Sequence, residues 1–285
     1  MNCKEIKNII TTFIRDEVKK TGLNNVVIGL SGGVDSSVVA TLAVEALGKD
    51  RVYGVLMPSS ESTILKSENF KDALELAKSL DIITFVIPVS DMLNTEGIHK
   101  LTMDSYMDNM DEFKLRCGNI KARTRMIILY DLAMQLEAIV LGTTNKTELL
   151  LGYLTKYGDG GVDIEPIVDI YKTEVFRLAR YINVSENIVN KPPSAELWDG
   201  QTDEDELGMK YSEIDQVLWW LIEEEYDARK LEKELDILTS IKDKTIIKKI
   251  LNIMSKNYHK TCMPKSCKIG NIDIRTTIAN DEKGC

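Results

Sequence analysis

The sequence predicts an α/β fold, a doubly wound parallel sheet with a helical C-terminal part. Three observations carry that prediction. Four short apolar runs rich in β-branched residues (26–30, 52–57, 82–89 and 138–141) alternate with stretches of helical period. Strands that alternate with helices form βαβ units, and near-continuous apolar strands belong to parallel sheets covered on both faces. The first run passes through Ser31-Gly32-Gly33 straight into a helical pattern, a strand–turn–helix unit whose helix N-terminus faces the strand end. The length, 285 residues with 44% hydrophobic content, suffices for one large core with a helical appendage. Residues 1–260 are therefore expected to form one domain, and 261–285, poor in pattern, a loose tail.

Taken in order, residues 6–20 place Ile6, Ile9, Ile10, Phe13, Ile14 and Val18 on one helix face, and Gly22 ends the pattern. The strand 26–30 follows. Residues 34–47 form a helix with Val38, Val39, Leu42, Ala43, Ala46 and Leu47 on its apolar face, closed by Gly48. Pro58 stops the strand 52–57, residues 67–80 are helical in pattern, and 82–89 is the third strand. The acidic stretch 90–111, with Met103, Met107 and Met110, reads as a surface excursion with a half-buried helix or as an exposed interaction helix. Residues 119–136 predict a long helix, and Gly142 stops the strand 138–141. Helical signals resume at 173–181, and Pro192-Pro193 break the chain. The polar loop 194–208 offers Thr202 as an N-cap with Asp205 at the matching position, and 211–225 and 243–256 read as helices.

The formal net charge of −9 argues against non-specific nucleic-acid binding and means that a polyanionic ligand must be held by local donors and metal. Residues 1–7 lack a secretory apolar region, and no apolar run approaches the length of a membrane span, so no membrane partner is expected. The five cysteines are odd in number and form no C-x-x-C pair, which fits reduced thiols in a cytoplasmic protein.

The chemistry is concentrated in four segments. In the first, Gly29-Leu30-Ser31-Gly32-Gly33-Val34-Asp35-Ser36, the glycines let the backbone bend and a ligand approach closely, the first helical turn supplies N–H groups, and Ser31, Ser36 and Ser37 add hydroxyls. A phosphate or pyrophosphate is the natural guest. A Walker loop needs a Lys-Ser/Thr pair where Asp35-Ser36 stands, and the glycine spacing does not fit a dinucleotide fingerprint. An aspartate beside a polyphosphate repels it unless a cation lies between, so Asp35 reads as a magnesium ligand; the plain alternative is a serine-capped helix start with an acidic first turn. The second segment, Gly142-Thr143-Thr144-Asn145-Lys146-Thr147-Glu148, follows a strand end, where Thr143 can reach a nucleotide. Glu148 there is either a second metal carboxylate or a surface glutamate on a helix. The third, residues 155–163, has three glycines and two aspartates after Lys156 without helix or strand period, as functional loops inside α/β domains often do; an ordinary turn is the alternative. The fourth, residues 118–126, sets Lys121, Arg123 and Arg125 at a helix start, as an anion site or a solvated basic face.

Ser31-Gly32-Gly33-Val34-Asp35-Ser36 resembles the pyrophosphate loop of the ATP pyrophosphatases, which cut ATP between its α and β phosphates to adenylate a substrate. Residues 118–126, 142–148, 155–163, 193–195, 201–208 and 259–260 together resemble the ammonia-dependent NAD synthetase family, over residues 26–260. The resemblance implies an adenine nucleotide α-hydrolase-like sheet and a ligase that amidates deamido-NAD to NAD with ATP and ammonia, releasing AMP and pyrophosphate. It implies that Gly29, Leu30, Ser31, Gly32, Gly33, Val34, Asp35, Ser36, Thr143, Lys172 and Ser194 bind ATP. Asp35 and Glu148 would hold Mg2+, and Arg123, Lys156, Asp163, His259 and Lys260 would bind deamido-NAD at the interface of a homodimer, near the helix from Asn119. Position 194 is often threonine in the family, and Thr261-Cys262-Met263-Pro264 replaces its more basic tail after the His-Lys pair. Lys172 would stabilise the departing pyrophosphate, and Asp159, set among glycines, is the candidate base that accepts a proton from ammonium. The alternatives are another amidating or thiolating ATP pyrophosphatase, which would need a glutaminase or RNA-binding extension, and a non-catalytic nucleotide-binding module, which would not need Asp35 and Glu148.

Overall fold

Val26, Val27 and Ile28 are sealed from solvent on both faces of the first strand, β1 (Asn25–Gly29), because helices cover the sheet on each side. The computed structural model describes residues 2–60, 67–93, 110–194, 200–264 and 267. Before β1 runs α1 (Cys3–Lys20), whose buried stripe is Ile6, Ile10, Ile14 and Val18. It begins three residues before the apolar period because Asn2 and Glu5 close a reciprocal capping box. After β1 come α2 (Val34–Leu47), β2 (Val52–Leu56), α3 (Glu68–Ser79), β3 (Ile83–Val86), α4 (Val89–Leu93), α5 (Met110–Gln135) and β4 (Ala138–Leu141).

The four strands are parallel in the order β3-β2-β1-β4. The chain winds outward through β1, β2 and β3, then returns to lay β4 on the other side of β1. The order therefore reverses between β1 and β4, and in open α/β sheets such a switch point marks the ligand crevice at the carboxyl ends of the strands. A bridge from Leu141 to Ile164 continues the sheet by one short parallel contact beyond β4.

The remaining helices are α6 (Lys146–Leu151), α7 (Lys172–Tyr181), α8 (Glu186–Val189), α9 (Asp203–Leu207), α10 (Tyr211–Ile222), α11 (Ala228–Leu238) and α12 (Thr245–Asn257), with a 3-10 turn at Tyr258–Lys260. One apolar core joins α1, α2, the sheet and α7. A second joins Leu151, Tyr171, Met209 and the inward faces of α10, α11 and α12. No helix among the described residues is long and apolar enough to cross a membrane.

Several elements differ from the sequence expectation. The third strand stops at Val86, not at residue 89: Ile87 still donates to Leu56, but Pro88 has no N–H to continue the ladder, and α4 starts at Val89. Helix α5 begins at Met110 and runs through Gly118, which looked like a boundary before residue 119. Helix α11 has no counterpart in the predicted elements; Asp227 caps it and Leu231 and Leu235 bury its face, an i, i+4 pair too short to stand out. Of the acidic stretch 90–111, residues 94–109 lie outside the described residues, as do residues 195–199 of the polar loop and most of the expected tail.

Candidate active site

The turn after β1 is built to bring backbone N–H groups to the crevice. Leu30 donates to Val55, which keeps the segment in line with the sheet, and its side chain is buried. Gly32 then takes φ +79°, a left-handed conformation that suits glycine. A Cβ there would lie 2.1 Å from the Asn69 carbonyl oxygen, so the turn is also pressed against the start of α3. Gly33 is the N-cap of α2 and brings no side-chain cap to the helix. Ser31 and Ser36 pair through their hydroxyls at 3.1 Å, and the Ser31 hydroxyl accepts from the Gly33 N–H. The Ser37 hydroxyl, expected to face a ligand, is buried and donates to the Gly33 carbonyl at 2.7 Å; as a second hydroxyl of the first turn it braces the helix instead. Val34 is buried as well, so only its backbone faces the crevice.

Asp35, in the first turn of α2, meets Glu148 and Lys172 there. Lys172 is the first residue of α7 and its side chain is 2% exposed. It donates to Asp35 Oδ2 at 2.5 Å and to Glu148 Oε1 at 3.2 Å, and it lies 5.2 Å from the centre of the Tyr211 ring. Asn145, fully buried, holds both carboxylates in place. Its Nδ2 donates to Asp35 at 3.0 Å, and it exchanges capping-box bonds with Glu148 at the start of α6. Burial alone would discharge Lys172; the charges of Asp35 and Glu148 outweigh it and hold the amine above its ordinary range. Burial pushes the Glu148 carboxyl up to about 8, against the pull of Lys172 and with Asp35 adding to the rise.

Around this triad lies a layer that sequence reasoning missed. Asp203, at the start of α9, is buried and accepts from Tyr211 at 3.1 Å and Tyr153 at 3.3 Å. Glu165 packs its carboxylate against Gly142, where a Cβ would lie 2.2 Å from it, and accepts from the Thr144 N–H at 3.2 Å. Burial pushes Glu165 up to about 7. Thr143 stands half-buried beside that contact, at the end of β4. Ser194 is half-buried too, one residue beyond Pro193, whose carbonyl accepts from Asp203.

The residues expected to bind the second substrate form a hydrogen-bonded group of their own. Arg123 donates to the Lys156 carbonyl at 3.3 Å. Lys156 donates to the His259 carbonyl at 2.6 Å, and Lys260 to the Gly152 carbonyl at 3.1 Å. The His259 Nδ1 lies 3.2 Å from the Lys256 carbonyl. These four residues are thus brought together. Asp163 sits apart from their bonds: its carboxylate accepts from the Val140 N–H at 2.7 Å and from Tyr130 at 3.0 Å, tying the loop to β4 and α5. Asp159 accepts from the Thr155 N–H at 2.9 Å. Protein crowded round its carboxyl pushes it upward, although the residue reaches solvent, which limits the rise.

The arrangement brings together backbone donors at one helix start, a buried ammonium and the two carboxylates that share it. The family model for NAD synthase matches residues 6–264. The chain belongs to the NAD synthase family. Among its relatives, the NH3-dependent NAD+ synthetase of Methanosarcina acetivorans is 45% identical over 93% of this chain and 98% of its own. Two solved structures share the fold over 94% of this chain and all of theirs. They are an NMN synthetase from Francisella tularensis (32% identity, TM-score 0.76) and an NH3-dependent NAD synthetase from Campylobacter jejuni (33%, 0.73). NAD synthases are ligases, and the parallel α/β sheet is the fold shared with the Campylobacter structure.

Proposed function

We propose that this chain amidates deamido-NAD to NAD with ATP and ammonia, by way of an adenylated intermediate. The observation that carries the reading is the convergence of Asp35 and Glu148 on the buried Lys172 beside the Gly32 turn. In the first step the nicotinate carboxylate attacks the α-phosphorus, the bond to the bridging oxygen breaks, and pyrophosphate leaves with the electron pair. Lys172, with the N–H groups of the first turn of α2, stabilises the charge that gathers on it. In the second step the lone pair of ammonia attacks the acyl carbon, AMP leaves, and Asp159 takes the proton that ammonium must lose.

Asp35 and Glu148 are the proposed Mg2+ ligands. Hard carboxylate oxygens suit the ion, and both carboxylates converge on one point, the Lys172 ammonium. Mg2+ commonly completes its shell with water and substrate phosphates. When bound it would supply Lewis-acid charge compensation at the phosphates. Leu30, Ser31, Ser36, Thr143 and Ser194 are proposed to line the ATP side, and Arg123, Lys156, Asp163, His259 and Lys260 the deamido-NAD side.

The proposed homodimer uses α5. Ile127, Tyr130 and Met134 are exposed and recur at helical spacing on the face that also carries Arg123. An exposed apolar stripe beside a binding residue suits a site completed by a second copy. The enzyme is proposed to work in the cytoplasm, in keeping with its free thiols at Cys3, Cys117, Cys262 and Cys267.

The test is to incubate the protein with ATP, magnesium, ammonium and deamido-NAD and to follow NAD, AMP and pyrophosphate. Release of ADP and phosphate instead would remove the pyrophosphatase reading. The Francisella neighbour's name favours a second reading, a mononucleotide acid as substrate, so nicotinate mononucleotide belongs in the same assay. A higher kcat/KM for it would replace deamido-NAD.

A further inference from the structure

The start of α7 is held by side chains that take no part in the proposed reaction. Asp215, on α10, is buried. One of its oxygens accepts from the Thr147 hydroxyl at 2.6 Å, the other from the Thr173 N–H at 2.8 Å. The Thr147 hydroxyl, also buried, accepts from the Lys172 N–H at 2.9 Å. The first two N–H groups of α7, which have no partner within the helix, are therefore satisfied by residues of α6 and α10. The carboxylate of Asp215 also lies where a helix dipole favours negative charge. These bonds fix the backbone from which the Lys172 side chain departs toward Asp35 and Glu148. Lysine has a long flexible stem, so where its ammonium rests depends on where that stem begins.

We propose that Asp215, acting through Thr147, is a positioning residue that aims the Lys172 ammonium at the departing pyrophosphate. The proposal rests on the adenylation reading. Both act through the backbone: Thr147 on the Lys172 N–H, and Asp215 on the Thr173 N–H and on Thr147. An ionised carboxylate is suited to the place because it only accepts, and here it meets two donors. Asparagine can turn its oxygen to one of them but presents an N–H2 to the other.

The test uses the full chain and a double-mutant cycle. Thr147→Val keeps the shape and removes the hydroxyl; it is expected to lower kcat by roughly 10²-fold, the scale of an ångström-level misplacement, with KM for deamido-NAD unchanged. Thr147→Ser keeps the hydroxyl and should restore kcat. In a Lys172→Met background there is no ammonium to aim, so Thr147→Val should cost nothing further, because residues acting as a unit are non-additive. The same cycle with Asp215→Asn serves where the valine variant melts below the assay temperature. A loss of equal size with and without Lys172, or no loss at all in folded protein, overturns the proposal. If the wild-type chain makes no NAD, the functional reading fails by itself. The cycle is then read on ATP affinity by calorimetry, since Lys172 would meet the nucleotide in either case.

Discussion

Two groups of cations, Lys172 in its triad (the proposed nucleotide end) and Arg123, Lys156 and Lys260 (the proposed deamido-NAD, or loop, end), meet their acceptors differently. At the nucleotide end a buried ammonium meets two carboxylates, charge against charge. At the loop end Arg123, Lys156 and Lys260 each donate to a backbone carbonyl, charge against a neutral acceptor. A carbonyl is a weak competitor, and a phosphate or carboxylate of a ligand can take such a donor at little cost. Two carboxylates on one ammonium give way only to partners of comparable charge. The proposed nucleotide end is thus suited to a polyanion arriving together with a cation, and the proposed loop end to an anion by itself. Burial sharpens the contrast: Lys172 is raised above its ordinary range by its carboxylates, whereas burial pulls Lys260 below its own.

The largest expected effect breaks the nucleotide end. Lys172→Met should lower kcat by roughly 10²–10³-fold, the usual worth of a donor to developing charge, and leave deamido-NAD binding intact. A steady-state comparison of kcat with both KM values checks this; an effect confined to the KM for deamido-NAD would erase the distinction between the ends. Next comes Asp35→Asn, expected to cost on the order of 10–100-fold in rate at limiting magnesium, as loss of metal-site groups commonly does. Near-normal turnover in a magnesium titration would take the cation away from this end. Smaller again, Lys156→Met should raise KM for deamido-NAD by about tenfold, the equivalent of about 1.4 kcal/mol, with kcat for saturating substrate little changed. A matching rise in KM for ATP would merge the two ends into one.

The smallest effect concerns stability. Glu165 is raised from 4.5 to about 7 by burial, so the folded chain binds its proton more tightly than the unfolded chain does. Its contribution to stability is therefore present below the unfolded value and is lost as pH climbs through 7. Glu165→Gln keeps an acceptor for the Thr144 N–H and removes the charge. Thermal melts of the wild type should fall from pH 5 to 7.5 relative to the variant. Parallel curves would show that the carboxyl pays no burial penalty.

What could be read from the chain depended on how local the cause was. Val26, Val27 and Ile28 are buried on both faces and announced it by being apolar in a row. The Thr202 cap with the Asp205 N–H was legible because its partner stands three positions on, and the Gly32 turn because its glycines are adjacent; its contact with Asn69 was not. Asp35 was singled out as an acid among phosphate donors, and the fold sets it against Lys172, which also bonds Glu148. Lys172 carried no such mark; only the likeness to a family pointed to it. Asn145 joins Asp35 across 110 positions, and Thr147 joins Asp215 across 68. No spacing rule reaches that far, so Asn145 looked like an ordinary loop residue and Asp215 like the polar side of a helix. Asp163 shows the reverse: its place in the loop was clear, while its bond to the Val140 N–H came only with the fold.

The contact between Lys172 and Asp35 spans 137 positions, and Tyr211 adds a ring from the C-terminal helices. A lysine sealed away without its acid costs several kcal/mol, so the chain gains nothing by closing this region early. A parallel sheet offers few local pairings to begin with and folds slowly. The triad is then expected among the last contacts to form, after both apolar cores have docked. A half-made chain would carry a phosphate-binding turn with no lysine placed to work on what it holds. The ability to split ATP would thus arrive together with completion of the fold, and nucleotide would be spared while the molecule is still being made.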